Sequence, residues 1–392
     1  MATVNTKRRH PWRRILIQAA GLYLLSRVLY VAIGLAISVF VHGTHAVGGG
    51  LHLSQPWHSF LFNLVYTSDS AFYHSIAMHG YRHVRFNTRK QYNWAFFPLY
   101  PYLTRWTRDL VHLRVVDSGV LWSQLSMVGF LTLVGRRVDR MHGDRLAFLA
   151  MALAAFSPLT PYFSAYRAGA LFLALSMAVF YFLAQSQWGW AVLAGALASI
   201  SRPVGILLAV PYLIAVYQAY PGWPARIWRG LAAAGYATGF FVVGAVDWRF
   251  TGNPLAFLAI QKAWNRKSAA PFSATVRWLG HLTVSAQGGW SFPALAIAAS
   301  LLAIGAAIYL VRRDQANWPG AGYILITVLL ANASNSFEGI PRFIAELPPM
   351  YWALALWLDE SPKRQWLGLL IMGALFSAYV ALWALGIHAV QN

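Results

Sequence analysis

Apolar residues arrive in long uninterrupted runs, among them Ile15 to Val41, Leu231 to Val246, Phe292 to Val311 and Trp366 to Ile387. Runs of this kind read as helices crossing about 30 Å of hydrocarbon. Lipid offers backbone amides no partners, so the spans are expected to be helical. With 58% hydrophobic and only 11% charged residues, the chain carries more apolar surface than a soluble core absorbs. The expectation is an all-α polytopic membrane protein forming one domain over residues 1–392.

The opening MATVNTKRRHPWRR resembles the charged region of a signal peptide. The apolar run behind it is too long and lacks a small-residue cleavage site, so it is expected to stay as the first span. A formal charge of +20 would suggest nucleic acid in a soluble protein. Here the basic residues cluster between spans, where they orient the chain and meet lipid phosphates, and no nucleic-acid partner is expected. The chain has no cysteine, which excludes disulfides, thiolate metal sites and a cysteine nucleophile.

Short basic loops stay cytoplasmic, which assigns Lys7 to Arg14, Arg136 to Arg145, Arg226 to Arg229, Arg312 to Arg313 and Lys363 to Arg364 to the inside. About eleven spans satisfy this assignment if Gln185 to Trp190 is a tight cytoplasmic turn. The C-terminus then lies outside, together with His42 to Val116, Trp248 to Trp290 and Asn335 to Arg342. The first two of these loops, 42–116 and 248–290, are rich in Trp, Tyr, Phe and His, and are expected to lie along the interface as partly helical segments. No internal repeat suggests an inverted-repeat transporter.

Acid–base chemistry at a hydroxyl requires a group to take the proton, and the chain has only 11 carboxylates. Asp139, Asp144, Asp314, Asp359 and Glu360 stand beside basic residues in the inner loops, where charge balance accounts for them. On the outer side, Asp109 follows Arg105 and Arg108 at ion-pair spacing, Asp117 suits a helix N-cap, and Asp247 closes a span beside Trp248 and Arg249. Glu346 stands four residues after Arg342, its expected partner. Glu338 stays open. Asp69 opens SDSAFYHSIAMHGY, in which Phe72, Ile76 and Tyr73, Ala77 recur at helical spacing. Asp69 or Ser70 is therefore a candidate N-cap of an interfacial helix, a role that does not exclude catalysis.

Asp69, Ser70, Tyr73, Ile76, Ala77, Gly80 and Tyr81 together resemble the first-loop signature of the PIG-V (GPI mannosyltransferase 2) family and its bacterial relatives. Ala95-Phe96-Phe97-Pro98-Leu99-Tyr100-Pro101 is similar to the family's Ala-Phe-Phe-Pro-Leu-Tyr-Pro block. Ser201-Arg202-Pro203-Val204-Gly205 resembles its Arg-Ser-Asn-Gly motif with the middle two residues changed. Thr251 to Trp264 and Pro341-Arg342-Phe343 with Pro348 are similar to later blocks. Two departures stand out. The tryptophan that often precedes the aspartate is Ser68, and the Tyr-Thr-Glu-Ser-Leu-Phe segment appears as Tyr166-Arg167-Ala168-Gly169-Ala170-Leu171-Phe172, without its acid.

The resemblance implies a GT-C type helical bundle with the catalytic acid in the first extracytoplasmic loop. It also implies a polyprenyl-phosphate-linked hexose donor, usually mannosyl, inversion at the anomeric centre, and a glycan or glycolipid acceptor. Asp69 is then the expected general base. Arg202 and Arg342 are candidates for binding the donor phosphate, with headgroup contact as the competing reading. Tyr73, His74, His79, Tyr81, Trp94 and Glu346 are candidate substrate contacts, with interface anchoring as the rival for the aromatics. His83, Phe96 and Phe97 lie in the same region. No metal or other cofactor is expected: the histidines near Asp69 make a weak ligand set, and Gly48-Gly49-Gly50 lacks the context of a phosphate loop. The expected location is a bacterial plasma membrane with the site on the extracytoplasmic face. The competing classes are a transporter or flippase of lipid-linked sugars and a catalytically silent scaffold.

Overall fold

The computed structural model of the chain describes residues 11–40, 64–67, 69–264, 266–280, 291–337 and 339–385. Residues 1–10, 41–63, Ser68, Asn265, 281–290, Glu338 and 386–392 lie outside the described residues. The described residues form helices joined by turns and short 3-10 segments, with one isolated bridge between Ser268 and Ser334.

In chain order the helices are α1 Pro11–Phe40, α2 Ser70–His79, α3 Leu99–Val111, α4 Val115–His142, α5 Asp144–Ala155 and α6 Thr160–Ser164. They continue as α7 Gly169–Leu183, α8 Trp188–Ser201, α9 Ala209–Ala219, α10 Trp223–Leu231, α11 Thr238–Thr251 and α12 Ala256–Ala259. The last six are α13 Ser273–Gly280, α14 Ser291–Arg313, α15 Trp318–Ala331, α16 Ile340–Ala345, α17 Pro348–Asp359 and α18 Pro362–Ala384. Among the described residues, five stretches are long and apolar enough to cross a membrane: Pro11–Ile37, Val115–His142, Trp223–Thr251, Pro293–Arg313 and Pro362–Ala384. Their outward faces expose Leu24, Phe241, Leu301 and Leu370. Apolar faces of that extent suit lipid, not water.

Proline sets many of the breaks. It occupies the first turn of α6, α10, α15, α16, α17 and α18, where its missing N–H costs nothing and its ring stops the preceding segment from continuing. A tight turn falls at 184–187, shorter than the expected Gln185 to Trp190: α7 ends at Leu183, Ser186 takes a left-handed φ of 56°, and α8 begins at Trp188.

Helix α4 is central and packs against α1, α3, α5 and α7. Helix α8 packs on α7 and α11 through small residues, Ala191, Ala194, Gly195 and Ala198, which let Tyr236 lie directly on the helix. Close backbone approach of this kind replaces the hydrophobic driving force that lipid removes. Gly239 of α11 donates its N–H to Ser199 Oγ at 2.9 Å, and a Cβ there would meet the Ser199 carbonyl and stand 2.8 Å from the Ile200 nitrogen. Backbone cannot rotate away as a side chain does. Gly239→Ala is expected to destabilise by about 1–3 kcal/mol, read as a lower melting temperature of detergent-purified protein. Gly305→Ala, where a Cβ meets open space, should stay within about 0.5 kcal/mol.

Candidate active site

The start of α2 brings Asp69 to a charged cluster. Asp69 holds the N-cap position of α2, yet its side chain makes no capping bond. The local turn is closed instead by the Ser70 hydroxyl, which accepts from the Thr67 N–H at 3.1 Å. The Asp69 carboxylate is thereby left to face Arg342 Nη1 at 3.2 Å and Arg167 Nη1 at 3.8 Å, and it keeps 24% of its side-chain surface accessible.

Arg167 is 1% exposed and sits in an irregular segment between α6 and α7. Side chains of α4 satisfy that segment's carbonyls: Ser123 Oγ donates to Ala165 O at 2.9 Å and Gln124 Nε2 to Ser164 O at 3.1 Å. The Tyr166 N–H donates to Val65 O at 2.7 Å. Non-helical backbone at this depth persists because each of these groups has a partner. The same bonds aim Arg167 at Asp69.

Arg202 terminates α8 in extended backbone before Pro203 and pairs with Glu346, which is 1% exposed. The expected partner of Glu346 was Arg342, four residues earlier. The Glu346 N–H still donates to Arg342 O at 3.1 Å, but its carboxylate meets Arg202, while Arg342 turns to Asp69. Arg167 and Arg342 both lie over the Tyr162 ring, at 5.1 and 5.3 Å.

A cavity of about 610 Å³ opens in front of these groups. Asp69, Tyr73, Tyr162, Arg202, Arg266 and Arg342 line it. Its aromatic wall is Phe72, Phe96 and Trp264, with Phe72 stacked on Phe96 at 4.6 Å. Gln91 and Gln261 add amides. The Phe97-Pro98 pair explains its own sequence: Phe97 lines the cavity, Pro98 precedes α3, and Tyr100 donates to Gly119 O at 2.8 Å, anchoring α3 to α4. Asp247 is wholly buried. Its Oδ2 accepts the Phe257 N–H at 2.7 Å and so fixes the loop that presents Phe257 and Gln261 to the cavity.

Burial alone would raise the Asp69 pKa, but Arg167, Arg342, Arg266 and Arg202 outweigh it and hold the carboxyl below its ordinary value. Tyr162 behaves alike: burial raises it, and Arg342, Arg202 and Arg167 bring the phenol below its ordinary value. The arrangement is a carboxylate in a cationic cavity, with an excess of guanidinium groups able to receive a phosphate.

Of the residues singled out in the sequence, Asp69, Tyr73, Arg202 and Arg342 meet at this cavity, with Glu346 behind Arg202. His74, His79, Tyr81 and Trp94 are not among its lining residues. His74 packs edge-on to Tyr66 and Tyr166, and His79 is exposed at the end of α2. Tyr81 donates to Phe96 O at 2.7 Å and Trp94 Nε1 to Arg82 O at 2.9 Å, so both brace the loop. Sequence reading passed over Arg167, Arg266 and Tyr162. Arg167 alone had a signal, as a lone cation in an apolar stretch. Asp117 does not cap α4: Arg114 holds that position and pairs with Asp117 at 2.7 Å. Asp109 pairs with Arg105 and Arg108, and Asp139, Asp144, Asp359 and Glu360 each meet an arginine. Asp314 accepts from the Ala316 N–H.

No family model and no curated protein matches the chain. Solved structures do match. The apo crystal structure of ArnT from Cupriavidus metallidurans has a TM-score of 0.52 at 17% identity, over 88% of this chain and 61% of that one. ArnT bound to undecaprenyl phosphate gives 0.50 at 18%, over 90% and 63%. The apo Archaeoglobus fulgidus oligosaccharyltransferase gives 0.47 at 12%, over 95% and 55%. The chain thus spans less than two thirds of the length of the ArnT chains. At such identity the likeness is one of fold alone: the described residues form a helical membrane bundle with the fold of the ArnT chains.

Proposed function

We propose that the chain is a membrane glycosyltransferase that moves a hexose from a polyprenyl-phosphate carrier to a hydroxyl of a glycan or glycolipid acceptor, with inversion. The PIG-V resemblance makes mannose the favoured sugar and a bacterial plasma membrane, active on its outer face, the favoured setting. The observation that carries the reading is the convergence of Asp69, Arg202, Arg266 and Arg342 on one aromatic-walled cavity. The likeness to ArnT bound to undecaprenyl phosphate supports a lipid-phosphate donor. Glu346 also brings a carboxylate to the acid-free Tyr166–Phe172 stretch: a Cβ on Gly169 would stand 3.1 Å from Glu346 Oε1.

In this reading the acceptor oxygen attacks the anomeric carbon as the bond to the phosphate oxygen breaks, and the bonding pair leaves with the phosphate. Asp69 takes the hydroxyl proton. A phosphodiester becoming a monoester gains negative charge, which Arg202, Arg266 and Arg342 are placed to stabilise. Arg342 faces Asp69 and Arg202 faces Glu346. An arriving phosphate competes for both guanidinium groups. As Arg342 turns to the phosphate, Asp69 loses a cation that depresses its pKa and becomes a stronger base when the proton must move. Tyr73, Phe72, Phe96 and Trp264 offer the stacking surface for sugar or isoprenoid.

Asp69→Asn should reduce transfer from a polyprenyl-phosphate hexose by about 10²–10⁴-fold while the protein stays folded and monodisperse. Ordinary turnover in that variant would sink the base assignment, and transbilayer movement of the donor without product would favour a flippase. The pH profile tests the coupling. Asp69 is depressed in the free protein, so its ionised form persists below the ordinary carboxylate value of about 3.9 and is lost only as pH falls further. The acid limb of kcat/KM should therefore lie below that value, and the acid limb of kcat, which reports the bound complex, should lie higher. Arg342→Gln should move the kcat/KM limb upward and raise the donor KM more than the acceptor KM. Equal effects on both substrates with an unmoved limb would remove Arg342 from the donor site.

A further inference from the structure

A second cationic cavity lies at the other end of α4. It has a volume of about 380 Å³, and Arg137 and Arg140 line it with Phe180, Leu183, Ser186 and Pro319. Arg137 follows Ser123, which contacts the active-site segment, by 14 residues, or about 21 Å of helix rise. The two cavities are therefore separate.

Arg137 is only 7% exposed, and its guanidinium lies 4.1 Å over the Trp352 ring. Among the described residues it donates no hydrogen bond and forms no ion pair, and its Nε is buried without an acceptor. Neighbouring arginines differ. Arg14 and Arg136 share Asp139, while Arg313 and Arg364 share Glu360. The acids at this end are engaged, and a guanidinium keeps its charge even when desolvated. Stacking on tryptophan compensates in part, but an anion is the stronger complement. Arg140 lies on the same face one turn on, over Tyr181 at 5.4 Å, and adds a second cation. The walls of Phe180, Leu183 and Pro319 are apolar, which suits a ligand with hydrocarbon next to its charge.

We infer that Arg137 and Arg140 form a phosphate-binding site that holds an anionic phospholipid headgroup between α4, α7, α9 and the start of α15. Phosphate oxygens meet the two guanidinium groups, and the acyl chains run along the apolar wall. The site is distinct from the donor cavity and does not depend on the glycosyltransferase reading.

The test is native mass spectrometry of the full chain in detergent, titrated separately with phosphatidylglycerol, phosphatidylcholine and inorganic phosphate. Phosphatidylglycerol should bind at least about tenfold more tightly than phosphatidylcholine, with Arg137→Gln and Arg140→Gln lowering only the former. Inorganic phosphate that binds as well as phosphatidylglycerol, and is lost in the same variants, would support the phosphate site while overturning the lipid as its occupant. Should Arg137→Gln fail to fold, Ser186→Glu serves instead, because it places a carboxylate at the exposed turn lining the cavity. Equal phosphatidylglycerol binding by wild type and by the folded variants would overturn the proposal.

Discussion

Two carboxylates hold together a set of arginines that would otherwise repel one another in a medium with little water. Asp69 faces Arg342 and Arg167, Glu346 faces Arg202, and Arg266 lines the same cavity. At low dielectric, unpaired charges of this kind are costly, and removing one member of a buried pair costs about 3–5 kcal/mol. The pairs therefore do more than decorate the cavity. They tie α2 to α16 across 273 residues of sequence and α8 to the end of α16 across 144.

The surrounding backbone bends to allow this. Lipid restricts spanning segments to helix, yet the residues of the site sit where helices stop: before α2, between α6 and α7, after α8, and at α16. The first two breaks are compensated by Ser70 at Thr67 and by Ser123 and Gln124 at the Ser164–Ala165 carbonyls, and Asp247 does the same for the Phe257 amide after α11. The buried polar residues of α4 and α11 thus support the site from behind. Their sequence positions, inside apolar runs, are explained by the carbonyls and amides they meet.

The blocks that carry the family resemblance are far apart in the chain and close in space. Phe96 and Phe97 from one block, Arg202 from another, Phe257, Gln261 and Trp264 from a third and Arg342 from a fourth all border one cavity. The departure in the Tyr166–Phe172 stretch acquires a physical meaning there. Gly169 has no side chain, and the space beside it is taken by Glu346 and Tyr162. A carboxylate is therefore present at that place, delivered by a different segment.

The apolar runs determined on their own that the chain is a helical membrane bundle, and the spacing of acids beside basic residues that few carboxylates were open to chemistry. Local spacing also determined pairs such as Arg105 with Asp109, because such contacts lie within one helical turn. Only the tertiary structure decided that Glu346 meets Arg202, that Arg342 meets Asp69, that Arg167 joins them, and that His74, His79, Tyr81 and Trp94 lie outside the cavity lining. The reason is geometric. A charge near the end of a helix can turn to its own helix or to whatever another segment brings near, and that choice depends on the crossing of helices hundreds of residues apart.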